Sequence, residues 1–152
     1  MIYRLYREQE LNCSLDLAWQ FFTSPMNLPS LAPVEMDFKV LTPEDNITEI
    51  YDGMRIDYLV RPLFGITIKW RSELRDVIKK QSFTDCQLMG PFKTWQHHHE
   101  FIENECGVLM KDTLTYEMKW GIFGRLLNGV LIQDKLNYIF DNRQAVVRKI
   151  FI

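Results

Sequence analysis

Three consecutive histidines, His97, His98 and His99, are the only histidines in the chain, and they sit inside the stretch GPFKTWQHHHEF at residues 90–101. Three chemistries fit such a run. Two imidazoles of a His-x-His on a strand can converge on a divalent metal, with a carboxylate as third ligand. A histidine oriented by a carboxylate can move a proton to or from a bound molecule, because its unperturbed pKa lies near neutrality. The third reading is structural: buried imidazoles need hydrogen-bond partners whatever else they do. Strand alternation divides the run. Trp95, His97, His99 and Phe101 share one side, and Gln96, His98 and Glu100 share the other. The aromatic side is the inward one, so His97 and His99 are expected to point inward and His98 to solvent.

Asp112 is the sharper residue. In VLMKDTLTYEMKW, residues 108–120, Val108, Met110, Leu114, Tyr116 and Met118 alternate onto one side with Asp112 among them. A carboxylate in that setting is costly unless a donor or cation meets it. The strand carrying His97 and His99 lies across the tight turn at residues 104–107, so those imidazoles are its expected partners. Arg143 is a second candidate, although an arginine there can equally be a surface residue whose stem covers apolar area. In the proton-transfer reading, Tyr116 or Tyr58 would donate to a carbonyl. The metal reading lacks a fourth ligand at any suggestive spacing, so no metal and no cofactor are expected.

The elements that must position these groups can be read from periodicity. Residues 2–12 alternate loosely and predict a first strand. Ser14 stands as N-cap before LDLAWQFFT, where Leu15, Ala18, Trp19 and Phe22 recur at helical spacing. Pro25, Pro29 and Pro33 leave room only for short helical turns. From residue 36 the period becomes 2. MDFKVLT is a short strand, and GMRIDYLV puts Met54, Ile56, Tyr58 and Val60 on one face. Next comes a strand with Ile66, Ile68, Trp70 and Leu74 opposing Lys69, Arg71, Glu73 and Arg75. SFTDCQLM, TWQHHHEFIE and the Asp112 strand complete the sheet. Residues 122–149 read as a helix whose apolar stripe loses phase. Phe123, Leu127, Val130 and Leu131 mark one face, whereas Leu136, Ile139, Phe140, Val147 and Ile150 mark nearly the opposite one. Either the helix breaks near Gln133 or both faces are covered.

With one polar face on each strand, only one side of the sheet is buried, and a single long helix must fill the concave side of a bent sheet. The expected class is therefore α+β: six to seven antiparallel strands curved around a C-terminal helix, one domain over residues 1–152. At 152 residues, with 47% hydrophobic and 13% aromatic content, the chain can build a large core or a core with an apolar hollow. A net charge of −2 without a dense basic run argues against nucleic acid. No signal peptide or spanning segment is apparent. The isolated Cys13, Cys86 and Cys106 read as reduced, buried thiols of a cytoplasmic protein.

Gly53 with Tyr58, Trp70, the run DCQLMGPFKTWQHHHEF, Asp112, Tyr116, GIFGRLLNG and IFDNR together resemble the SRPBCC superfamily (START-like, helix-grip), which includes lipid-transfer domains, plant allergens and polyketide cyclases. The likeness covers essentially the whole chain and is nearest to small bacterial ligand-binding or cyclase-like members. It departs at Lys119-Trp120-Gly121, where the indole is expected to narrow the cavity entrance. The resemblance implies a helix-grip fold and a small hydrophobic or aromatic ligand, such as a lipid, quinone or polyketide, between sheet and helix. It names no reaction, because the superfamily has no universal catalytic motif. The polar candidates are Tyr58, His97, His99, Asp112 and Tyr116. The wall candidates are Met54, Trp70, Trp95, Met110, Leu127 and Val130. Two alternatives stay open: a cyclase or dehydratase using the same pocket, and an interaction module with a filled core. A homodimer is also open.

Overall fold

Alternation and capping build the elements in the expected order. The computed structural model describes residues 1–46 and 49–152. Strand β1 (Ile2–Leu11) buries Leu5 and Leu11. Ser14 then caps α1 (Leu15–Phe22), its Oγ accepting from the Leu17 N–H at 3.2 Å, and α1 buries Ala18, Trp19 and Phe22. The proline-rich stretch forms only a four-residue helix, α2 (Leu28–Leu31), between two 3-10 turns. Six further strands come next: β2 (Lys39–Val40), β3 (Arg55–Leu63), β4 (Ile66–Ile78), β5 (Ser82–Met89), β6 (Thr94–Asn104) and β7 (Gly107–Glu117). The chain ends in α3 (Gly121–Leu127), a π-helical turn (Asn128–Ile132) and α4 (Gln133–Ile150).

All strand pairs are antiparallel, in the order β1-β7-β6-β5-β4-β3-β2. Register shifts interrupt β3–β4 between Val60 and Leu63, and β4–β5 at Arg71/Ser72 and Arg75/Ile78. Such bulges bend and twist strands, and they lie in the half of the sheet that must curl around the helix. The sheet is curved, and the long C-terminal helix occupies its concave side. Among the described residues no helix is long and apolar enough to cross a membrane.

The π turn explains the broken stripe. It inserts one extra residue into the helical winding and rotates the remainder of the helix by about 100°. Gly124, Asn128, Ile132, Leu136 and Phe140, every fourth residue across the turn, form the buried line, continued by Val147. Gly124 is required there, because a Cβ would collide with the Lys119 carbonyl and Met118. Four placements on the helix are corrected. Phe123 and Val130 face solvent, Leu127 is only partly buried, and Ile150 is exposed beyond the last buried turn. Trp120 adopts a left-handed backbone conformation that throws its indole outward, so it does not narrow the cavity. Ile66 is also exposed, because the β3–β4 hairpin runs past the core. Of the thiols, Cys86 is buried, whereas Cys106 sits exposed in the β6–β7 turn.

Candidate functional site

The site is built where β5, β6 and β7 face α4. The β6–β7 register sets His99 directly opposite Asp112, with His97 two residues along on the same face. All three are nearly inaccessible, at 8%, 6% and 7% exposure for His97, His99 and Asp112. His97 Nε2 donates to Asp112 Oδ1 at 3.0 Å, which assigns the proton to that nitrogen. His99 Nδ1 stands 2.9 Å from the same oxygen but out of line for a proper hydrogen bond, so it has no well-formed partner among the described residues. From α4, Arg143 Nε approaches the other carboxylate oxygen at 3.7 Å, and its guanidinium lies 5.3 Å from the Phe22 ring.

These neighbours set the protonation states. Burial alone would push the Asp112 carboxyl up. Arg143 and the two imidazoles overcome that and hold it well below the usual carboxylate range, so Asp112 is ionised. His99 is pushed down to about 3, by burial first and then by His97 and Arg143, against the pull of Asp112. It is therefore a neutral imidazole, stacked on Phe83 at 4.4 Å.

A second carboxyl sits one strand further. Asp85 pairs with His97 in the β5–β6 ladder and shares the face of Phe83. Burial raises its pKa, while Ser72, His97 and Arg143 pull the other way. Its Oδ1 and the Ser72 Oγ are both buried without a hydrogen bond among the described residues. Nearby Tyr58 is held protonated, its pKa raised well above the usual value by burial and then by Asp85 and Asp57.

These groups form one pole of a hollow of about 180 Å3. Ile132, Leu136, Ile139 and Phe140 roof it, and Leu28, Leu31, Ala32 and Met36 close one side. Tyr58, Val60, Trp70 and Trp95 supply the sheet floor with Phe92 from the β5–β6 connection, and Ser72, Asp85, His97 and Arg143 make the polar end. A smaller hollow of about 30 Å3 reaches Asp85, His99 and Arg143 from the α1 side, room for about one water. The polar cluster is the partition between the two.

Solved structures share this architecture. A START superfamily protein from Mycobacterium smegmatis superposes with a TM-score of 0.68 at 11% identity, covering 98% of both chains. The di-domain aromatase/cyclase StfQ of the steffimycin biosynthetic pathway gives 0.66 at 12% identity, over 98% of this chain and 52% of that one. The fold is START-like. A third structure, from Thermus thermophilus, gives 0.62 at 17% identity over 98% of each chain. No protein-family model and no curated protein matches the sequence.

Within this START-like frame the candidate residues part ways. Tyr58, Trp70, Trp95 and His97 line the main hollow, and His99 lines the smaller one. Asp112 lies behind the imidazoles and reaches the hollow only through His97. Met54 and Met110 belong to the solid core packed around Trp19 and Phe101, not to the wall. Tyr116 does not reach the histidines. It donates to Asn128 Oδ1 at 2.7 Å in the π turn, and burial pushes its pKa up to about 12. Leu127 and Val130 are not lining residues, because the buried line of Asn128 and Ile132 runs along another side of the helix. Asp85 and Ser72 went unread in the sequence. The available signal was Asp85 at two residues from Phe83 in SFTDCQLM, the same apolar-face argument that exposed Asp112.

The metal reading can be tested on geometry. The donor atoms of His97, His99 and Asp112 all lie within 4.8 Å of one another, close enough for one ion. The charges oppose it. A divalent ion on Oδ1 would sit about 5 Å from the Arg143 guanidinium, a repulsion of about 6–7 kcal/mol at an effective dielectric of 20. Arg143 already neutralises the one carboxylate on offer, so the cluster reads as a self-paired network.

Proposed function

We propose that the chain binds a small, flat, apolar molecule carrying a carbonyl-type oxygen, a quinone or polyketide-like ring system, between the sheet and α4. The observation that carries this is the hollow itself. Its walls are apolar, and its one polar end holds Ser72, Asp85 and Arg143, none of which makes a well-formed hydrogen bond to the described residues. A ligand oxygen supplies the acceptor that the Ser72 hydroxyl and the Arg143 guanidinium lack. At about 180 Å3 the space suits one or two rings; drug-sized ligands generally occupy about 300–1,000 Å3, so a long lipid chain fits less well. Burying roughly 200 Å2 of apolar ligand surface would contribute about 5 kcal/mol, with the polar end fixing orientation. A hollow of this size also argues against an interaction module with a filled core.

One observation favours a second reading, proton transfer on such a ligand. The environments of Asp85 and Asp112 push their pKa values in opposite directions, the pattern that divides acid from base. With Nε2 committed to Asp112, His97 retains Nδ1 as a base for a proton alpha to the ligand carbonyl. Asp85 or Tyr58 would hydrogen-bond the resulting enolate oxygen, and its collapse back to the carbonyl would expel the beta-hydroxyl, which takes up the proton removed by His97 and leaves as water.

The test uses 1,4-naphthoquinone as a probe, since Trp70 and Trp95 line the hollow and report its entry by fluorescence quenching. Saturable quenching is expected, abolished in Ala32→Phe, which fills the space, and weakened about five-fold in Ser72→Ala, the worth of about one hydrogen bond. Quenching that is absent, or identical in Ala32→Phe with its fold intact, defeats the proposal. Retained binding with turnover lost in His97→Gln would select the enzymatic reading.

A further inference from the structure

The start of the C-terminal helix carries an apolar face that the protein itself does not use. Ile122, Phe123, Leu126 and Val130, with Trp120 before them, are between 66% and 80% exposed. At 100° per residue the four helical members fall within an arc of about 100°, opposite the buried line of Gly124 and Asn128. The β3–β4 hairpin adds exposed Phe64 and Ile66. Sheet register puts both features at one end of the molecule. Ile66 opens β4 beyond the Arg71–Met89 pair, and β7 closes at Glu117 opposite Thr94, just before Trp120.

Charge identifies the surface such a face meets. Residues 118–133 contain Lys119 and Arg125 and no carboxylate, and residues 60–70 contain Arg61 and Lys69 and no carboxylate, in a chain whose net charge is −2. All four cations are exposed; Arg61 and Lys69 stand 3.7 and 4.0 Å from Asp37 and Asp57, so the excess positive charge rests chiefly on Lys119 and Arg125. Apolar side chains with a tryptophan, fringed by lysine and arginine, match the lipid–water boundary of an anionic membrane. A two-fold contact with a second copy would instead bring these same cations face to face. We infer that this end of the molecule, α3 with the π turn and the β3–β4 hairpin, docks on an anionic lipid surface. Val60, Pro62, Trp70 and Ile132, which line the hollow, belong to the same segments. Docking would thus set the hollow beside the phase in which apolar molecules dissolve, and it stands whether or not the hollow is filled.

The experiment is cosedimentation of the full chain with phosphatidylcholine vesicles, with and without 30% phosphatidylglycerol, alongside light scattering for oligomeric state. Binding to the anionic vesicles is expected, with a blue shift of Trp120 emission and weakening by salt. Affinity should fall about five-fold in Arg125→Gln. It should fall about 30-fold or more in the double variant Phe123→Ser, Leu126→Ser, whose melting temperature should hold because both side chains are exposed. No binding to anionic vesicles, or binding the double variant leaves unchanged, overturns the inference. So does a dimer that the double variant dissociates, since a second copy would then cover the face.

Discussion

The neutral, buried His99 should make this protein acid-labile in a way one substitution removes. In the unfolded chain His99 titrates near the ordinary histidine value of about 6.5; in the fold it titrates at about 3. Between those values the unfolded state binds a proton that the native state refuses, so stability rises with pH through this window. The contribution is fully present above about 6.5 and is lost as pH falls toward 3. From pH 7 to pH 5 the loss works out at about 2 kcal/mol, which for a domain of this size is about 4–8 °C in Tm. Urea unfolding at both pH values, on wild type and His99→Gln, reads it directly. His97, Asp112 and Arg143 surround position 99 in both proteins, so the comparison isolates what the imidazole itself contributes. Wild type should lose about 2 kcal/mol more than His99→Gln. Equal losses, within about 0.5 kcal/mol, would mean that His99 takes up a proton inside the fold and that the burial reasoning is wrong.

Three other perturbations have outcomes set by the same structure. Asp85→Asn should raise Tm at neutral pH, because a carboxyl with a raised folded pKa destabilises the fold above its unfolded value; thermal melts should show the gain vanishing below about pH 4. Gly124→Ala should cost about 2 kcal/mol or more, since the added methyl meets the Lys119 carbonyl across a packed helix start, and denaturant midpoints will show it. Titration with Co2+ should produce no visible ligand-field bands, because Arg143 already occupies the charge of Asp112; a one-to-one spectrum lost in His97→Gln would reverse that assignment.

Much of the sheet and half of the site were legible in the sequence because period-2 alternation is a local property. It placed His97, His99 and Asp112 on the inward face and His98 outward, and the β6–β7 register agrees. It put Tyr58, Trp70 and Trp95 on the side that lines the hollow. The energetic argument about a buried carboxylate was likewise local in its premise, and it led correctly to His97 and Arg143.

The features hidden from the sequence depended on three-dimensional packing. Alternation says that a side chain is buried, not whether it borders solid core or empty space, so Met54 and Met110 could not be told from Tyr58 or Trp70. The helix phase was ambiguous because a π turn adds a residue without any mark in composition, which left Val130 in solvent and handed the line to Asn128 and Ile132. The pairing of Tyr116 with Asn128 depends on that same turn. Asp85 joined the site only because three strands and α4 brought Ser72, His97 and Arg143 around it, and burial in that packing, against the opposing pull of those three groups, is what raises its pKa.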